Sequence, residues 1–120
     1  MQKLAKREEQ IMQAFWKLEK AFVKEIIDEL PEPKPHYNSV STMVRILEEK
    51  GFLAHNSFGK THQYYPVVLK EQYQKTIVSD VVGKYFENSY SKMISFFAKE
   101  ENIDEKELQQ IINQIKNRKK

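Results

Sequence analysis

A mainly α-helical chain broken by one small β-hairpin is the fold class this sequence predicts. Three observations predict it. Apolar residues recur at i, i+3, i+4, i+7 through the first fifty residues, the period of helices buried on one face. After Gly51 that period gives way to two short strand-like runs around Asn56-Ser-Phe-Gly-Lys60. Beyond residue 68 the helical period returns and persists to the end.

The first helix is predicted over roughly residues 3–19. Leu4, Ile11, Phe15 and Leu18 share a face, with Met12 and Trp16 beside it as core. The second is predicted over roughly 22–30, where Val23, Ile26, Ile27 and Leu30 repeat the pattern and Pro31 stops it. Pro31, Pro33 and Pro35 alternate, which makes 31–37 a stiff, extended connection. A third helix follows. Asn38 is an expected N-cap, with His36 and Tyr37 as alternative starting points, and Gly51 fits the residue just past its end.

In that third helix Val40, Met43, Val44 and Leu47 form the inward stripe. The opposite face carries Asn38, Ser39, Ser41, Thr42 and Arg45. These are short hydrogen-bonding side chains and one guanidinium, the types that reach base edges and phosphates in a major groove. A merely solvated face is more often filled with Glu and Lys, as Glu48-Glu49-Lys50 is at the far end. Strands are predicted at 52–55 and 61–67. The hairpin tip lies at 56–60, with Gly59 free to take a positive φ. Tyr64 and Pro66 should face one side and Gln63 and Tyr65 the other.

In the last third, Tyr73, Ile77, Val81 and Tyr85 follow a four-residue stride, and Tyr90, Met93, Ile94, Phe96 and Phe97 form a dense apolar group. Asp104 resembles a cap opening a final helix that bears Leu108, Ile111, Ile112 and Ile115, followed by a basic tail, Lys116-Asn-Arg-Lys-Lys120. About 50 residues seldom bury such a set alone. Residues 69–120 are therefore expected to pair with a second copy, through Tyr73, Ile77, Val81, Tyr90, Ile94, Phe97, Leu108, Ile111, Ile112 and Ile115. Residues 1–68 are expected to be a separate module, and helix, helix, helix, hairpin is the order of a winged helix-turn-helix.

Composition narrows the function. The 120 residues are 40% hydrophobic and 31% charged, which describes a folded chain rather than a disordered one. There is no cysteine, so disulfides and cysteine-ligated zinc are excluded and a cytoplasmic location is expected. No apolar run approaches the roughly 18 residues of a membrane span, so membrane insertion is not expected, and the N-terminus is too charged for a signal peptide. The net charge of +3 is shared as +1 over residues 1–66 and +2 over 67–120. Such a balance does not indicate a chain that coats DNA non-specifically; with DNA as the partner, binding would rely on locally placed cations and on two copies of the module. His36, His55 and His62 are scattered and no cofactor or metal is expected. With three glycines and no nucleophile-base constellation, an enzyme is not expected.

The residues resemble the penicillinase and methicillin-resistance repressors (BlaI/MecI/CopY type). Glu8-Glu-Gln-Ile11-Met12-Gln-Ala-Phe-Trp16 is similar to that family's Glu-x-x-Ile-Met-x-x-x-Trp element. Ser39-Val40-Ser41-Thr42 through Arg45-Ile46-Leu47 to Lys50-Gly51 resembles its Thr-Val-x-Thr-x-x-x-Arg-Leu-x-x-Lys-Gly element, and Gly59-Lys-Thr-His-Gln-Tyr64-Tyr65-Pro66 its wing. The resemblance covers essentially the whole chain. It implies a homodimeric transcriptional repressor on double-stranded DNA, at a palindromic operator, near genes for a membrane protease-sensor or for a β-lactam or stress response. Carried over, the DNA-facing residues are Tyr37, Asn38, Ser39, Ser41, Thr42 and Arg45, with Lys60 and Thr61 of the wing. Thr42 would give its methyl to thymine and its hydroxyl to a phosphate; Arg45 would take either guanine or a phosphate.

Two departures stand out. Copper-responsive members carry C-terminal cysteine pairs, and this chain has none. Antibiotic-responsive members are cleaved at an Asn-Phe bond, here aligned with Ser95-Phe96, where the Phe is kept and the Asn is not. Relief of repression through a membrane sensor-protease is one implied route. An effector-responsive regulator without proteolysis, or a winged helix that docks a protein partner, are the alternatives. Partner docking predicts exposed apolar anchors at helical spacing, and the face carrying residues 38, 41, 42 and 45 has none.

Overall fold

In the computed structural model, which describes residues 2–118 and side chains up to residue 114, the elements follow the predicted order. They are α1 (Lys6–Leu18), α2 (Val23–Glu29), α3 (Tyr37–Glu49), β1 (Leu53–Phe58), β2 (Thr61–Pro66), α4 (Lys70–Tyr85), α5 (Tyr90–Glu100) and α6 (Glu105–Arg118). The chain forms two compact units, Met1–Thr76 and Ile77–Lys120. The expected class, mainly helical with one antiparallel hairpin, is the class observed.

The core of the first unit is the set of apolar stripes. Ile11, Met12 and Phe15 of α1, Ile26 of α2, and Val40, Val44 and Leu47 of α3 are fully buried. Trp16 is only half-buried, because its indole N–H reaches out 2.9 Å to the Val68 carbonyl. Helix α3 starts at Tyr37 with His36 as N-cap, so of the three starting points Asn38 is not the cap. It ends in a Schellman arrangement: Gly51 N–H donates to Glu48 O (3.0 Å) and Phe52 N–H to Leu47 O (2.9 Å). Gly51 has φ +84°, which only glycine adopts at no steric cost.

The first strand of the hairpin runs three residues further than predicted, to Phe58, while the second ends at Pro66 rather than Val67. Phe58 pairs with Thr61, leaving a two-residue turn with Gly59 at φ +62°. Asn56 and Ser57 have turn-forming side chains, yet they sit in the ladder opposite Gln63 and His62. The ring of Phe58 meets Phe22 edge-on at 6.0 Å, and that contact at the hairpin tip holds the strands together to their ends. Ala21 adds a one-residue third strand by exchanging both backbone hydrogen bonds with Tyr64 at 2.9 Å. The wing is thereby fixed to the α1–α2 connection.

Glu8 is a buried carboxylate that joins two ends of this unit. Its Oε1 accepts the Ala5 N–H at 2.9 Å, and its Oε2 lies 2.7 Å from Lys50 Nζ at the end of α3. Burial alone pushes the Glu8 carboxyl up. The Lys50 hydrogen bond, the Ala5 N–H and the Lys50 charge together outweigh it and hold the group below its ordinary value. A depressed carboxylate stabilises the fold above the unfolded-state value near ~4.3, and that stabilisation is lost as pH falls through the lower folded value. Glu8→Gln should cost about 1–2 kcal/mol at pH 7. In urea titrations the difference from the parent chain should shrink as pH falls below the ordinary carboxylate range and through the lower folded value. A penalty unchanged at low pH would show that the charge is not what matters.

In the second unit Ser89 caps α5 by accepting the Lys92 N–H (3.1 Å), and Asp104 caps α6 by accepting the Glu107 N–H (2.8 Å), the cap role expected for it. Ile115 and the basic tail from Lys116 onward lie outside the residues whose side chains are described.

Candidate nucleic-acid interface

The helical period of α3 turns Val40, Val44 and Leu47 inward and leaves the other face to solvent. Tyr37, Asn38, Ser39, Thr42 and Arg45 are exposed there, and Ser41 is half-buried. These side chains therefore share one accessible face. Lys60 and Thr61 stand at the wing tip, both exposed.

Helix and wing meet across an open groove of about 630 Å³, lined by the start of α2, by Tyr37, Ser41 and Arg45 of α3, and by Lys60, Thr61, His62 and Tyr64 of the wing. Arg45 and Lys60 thus converge on one concavity although fifteen positions apart in sequence. Lys24 of α2 joins them. Among the described residues none of the three is ion-paired, whereas Lys17, Lys50, Lys84 and Lys92 each hold a carboxylate. On the opposing side, Glu25 lines the groove but has one oxygen committed to the Phe22 N–H at 2.8 Å.

Two hydroxyls are already engaged within the chain. Thr42 Oγ1 donates to the Asn38 carbonyl at 2.9 Å, and Thr61 Oγ1 to the Phe58 carbonyl at 2.8 Å. While those bonds hold, Thr42 presents its methyl and acceptor lone pairs, not the donor that a phosphate would need. Thr61 fastens the wing turn.

Lys24 and His62 were not anticipated as part of this surface. The helix-turn-helix order offered a signal for Lys24, since α2 precedes the exposed helix in space as well as in sequence. His62 was legible only as Thr61's neighbour. Nor does sequence spacing bring out a small cluster at the wing root. His55 Nδ1 lies 2.6 Å from Glu48 Oε2, and the His55 and His62 rings stack at 4.1 Å with 7° between planes. The antiparallel register is responsible, because it sets His55 opposite Tyr64 and brings His62 diagonally over it. Burial raises the Tyr64 phenol above its usual value; Glu48 adds to the rise and Arg45 opposes it. No group of three or more His, Asp or Glu able to hold a metal occurs among the described residues.

The residues expected at a contact between chains divide. Tyr73 is 4% exposed and belongs to the first unit: its hydroxyl accepts the Leu4 N–H at 2.8 Å and its ring packs on Trp16 and Phe52. Ile77, Val81 and Leu108 are half-buried. Tyr90, Ile94, Phe97, Ile111 and Ile112 are exposed, together with Phe96, Tyr85 and Val78. Only Val82 is a buried apolar residue in this second unit among those described. Ser95 and Phe96 lie in the middle of α5, both exposed, with the Phe96 ring against Phe86 and Phe97. No described helix is long and apolar enough to cross a membrane.

Three helices with an outward polar third helix, closed by a hairpin tied back to the α1–α2 connection, define a winged-helix module of the kind found in transcription regulators. The family model described as "Penicillinase repressor" matches residues 4–117. The chain belongs to the penicillinase repressor family, which is regulatory rather than catalytic. It is 25% identical over 115 residues to the "Penicillinase repressor" of Bacillus licheniformis, covering 92% of this chain and 90% of that one. It is 22% identical over 111 residues to the "Methicillin resistance regulatory protein MecI" of Staphylococcus aureus (strain N315), with the same coverage. A protein of that name from Mammaliicoccus sciuri is 21% identical over 111 residues, again covering 92% and 90%.

Proposed function

We propose that the protein is a homodimeric, sequence-specific DNA-binding repressor acting on a palindromic operator. The observation that carries this is the exposed polar face of α3 opening onto a groove where Arg45, Lys60 and Lys24 stand unpaired. Helix α3 enters the major groove with Asn38, Ser39, Thr42 and Arg45 toward base edges and phosphates. The wing lays Lys60 on the adjoining backbone. The first unit reads one half-site, and residues 77–120, the part of the expected 69–120 arm outside that unit, join two copies at a spacing of about one helical turn or a simple multiple.

Repression follows from occupying a promoter. Proteolytic relief, by a membrane sensor-protease, would cut between Ser95 and Phe96. That bond is exposed but helical, so a protease that needs extended backbone must first unwind α5. Separating the apolar residues on either side of the cut would weaken the dimer and, with it, the affinity for paired half-sites.

The test is selection of bound duplexes from a random pool by the purified protein at physiological salt. Recovery of a site with two inverted half-sites is expected. No enrichment by a folded dimer would sink this reading in favour of a winged helix that docks a protein or needs an effector. On the selected site, Arg45→Ala should weaken binding by about 1–3 kcal/mol and, if the contact is to guanine, relax preference at one position per half-site. Unchanged affinity would remove Arg45 from the recognition set.

A further inference from the structure

The inference rests on the reading of the α3–wing groove as a surface for the DNA backbone. We propose that His62 is a further phosphate-contacting residue of that surface, that it makes this contact as the imidazolium, and that operator binding is therefore coupled to proton uptake.

His62 is exposed and lines the groove. It is held in place rather than free: one face stacks on His55 at 4.1 Å and its edge meets Tyr64 at 6.1 Å and 62°. The His55 ring is in turn anchored by Glu48 at 2.6 Å. That contact requires a proton on His55 Nδ1, whatever the state of the other nitrogen. The stack on His55 thus fixes the orientation of the His62 ring at the groove.

The charge around the two imidazoles is divided. On the wing-root side Glu48 of α3 meets His55, with the neutral phenol of Tyr64 between. On the groove side stand Lys24 of α2, Arg45 of α3 and Lys60 of the turn, against Glu25 of α2 alone and the phenol of Tyr37. An anion in the groove is thus the partner that a charged His62 lacks among the described residues. A DNA phosphate supplies one, and by linkage its binding favours the protonated ring.

Affinity for the selected duplex, measured from pH 6 to pH 8 at constant ionic strength, tests this. The parent dimer should bind about tenfold or more weakly at pH 8 than at pH 6. His62→Gln should be flat across that range, at the parent's pH 8 affinity, and remain a folded dimer. His36 caps α3 beside Tyr37 and is a second exposed imidazole near the same face, so His36→Gln should keep the parent's slope. A pH-independent parent, a slope that survives in His62→Gln, or one that disappears in His36→Gln, would each overturn the proposal. Failure to bind any duplex at either pH would overturn the reading of the groove itself, and the role of His62 with it.

Discussion

Phe97→Asp is expected to turn the proposed dimer into a monomer in light scattering, and to lower operator affinity by about a hundredfold or more. The unit from Ile77 onward keeps Val82 covered but leaves Tyr90, Ile94, Phe96, Phe97, Ile111 and Ile112 with two-fifths to half of their surface in water among the described residues. Exposed apolar side chains grouped on α5 and α6 are the basis for proposing that two copies meet there. Phe97 is among them, 44% exposed, with its ring against Phe86 and Phe96. A carboxylate there would have to be desolvated when two such surfaces close. Affinity falls further than any single contact explains, because linked half-site readers gain about 10²–10⁴ from effective concentration. Ile112→Asp on α6 should act alike, which guards against a local loss of α5. If both variants remain dimeric, this surface is not where the chains meet.

Tyr73→Ala is expected to destabilise the first unit by about 3–5 kcal/mol, and Tyr73→Phe by about 1–2 kcal/mol, in urea titration. The larger figure reflects a ring packed between Trp16 (5.7 Å) and Phe52 (5.9 Å). The smaller one reflects the buried Leu4 N–H, which loses its acceptor when the hydroxyl goes. Neither change should alter the dissociation of the dimer, measured under conditions where the chain stays folded. A Tyr73→Ala variant that dissociates without losing stability would return Tyr73 to the contact between chains, where its place in the apolar stride of α4 first suggested it.

Helix α3 is the most legible part of the chain. Its inward stripe obeys the 3.6-residue period, and period alone sorts Val40, Val44 and Leu47 from Asn38, Thr42 and Arg45. Gly51 was equally legible, since its positive φ is a local backbone requirement. The hairpin was legible in kind but not in extent. Local propensity marks Asn56 and Ser57 as turn residues, and only the distant ring of Phe22 against Phe58 shows why pairing continues past them.

By itself, then, the sequence determined the class of fold, the order of its helices and hairpin, the polar face of α3, and the resemblance to a repressor family. All of these rest on periodicity, local backbone geometry or motif spacing. Tertiary structure alone decided which distant residues became neighbours. It joined Glu8 to Lys50 across 42 positions, placed Tyr73 under Leu4 across 69, stacked His55 on His62, and gathered Lys24, Arg45 and Lys60 around one groove. Such pairings are set by how helices pack and how strands register, and neither leaves a period in the chain.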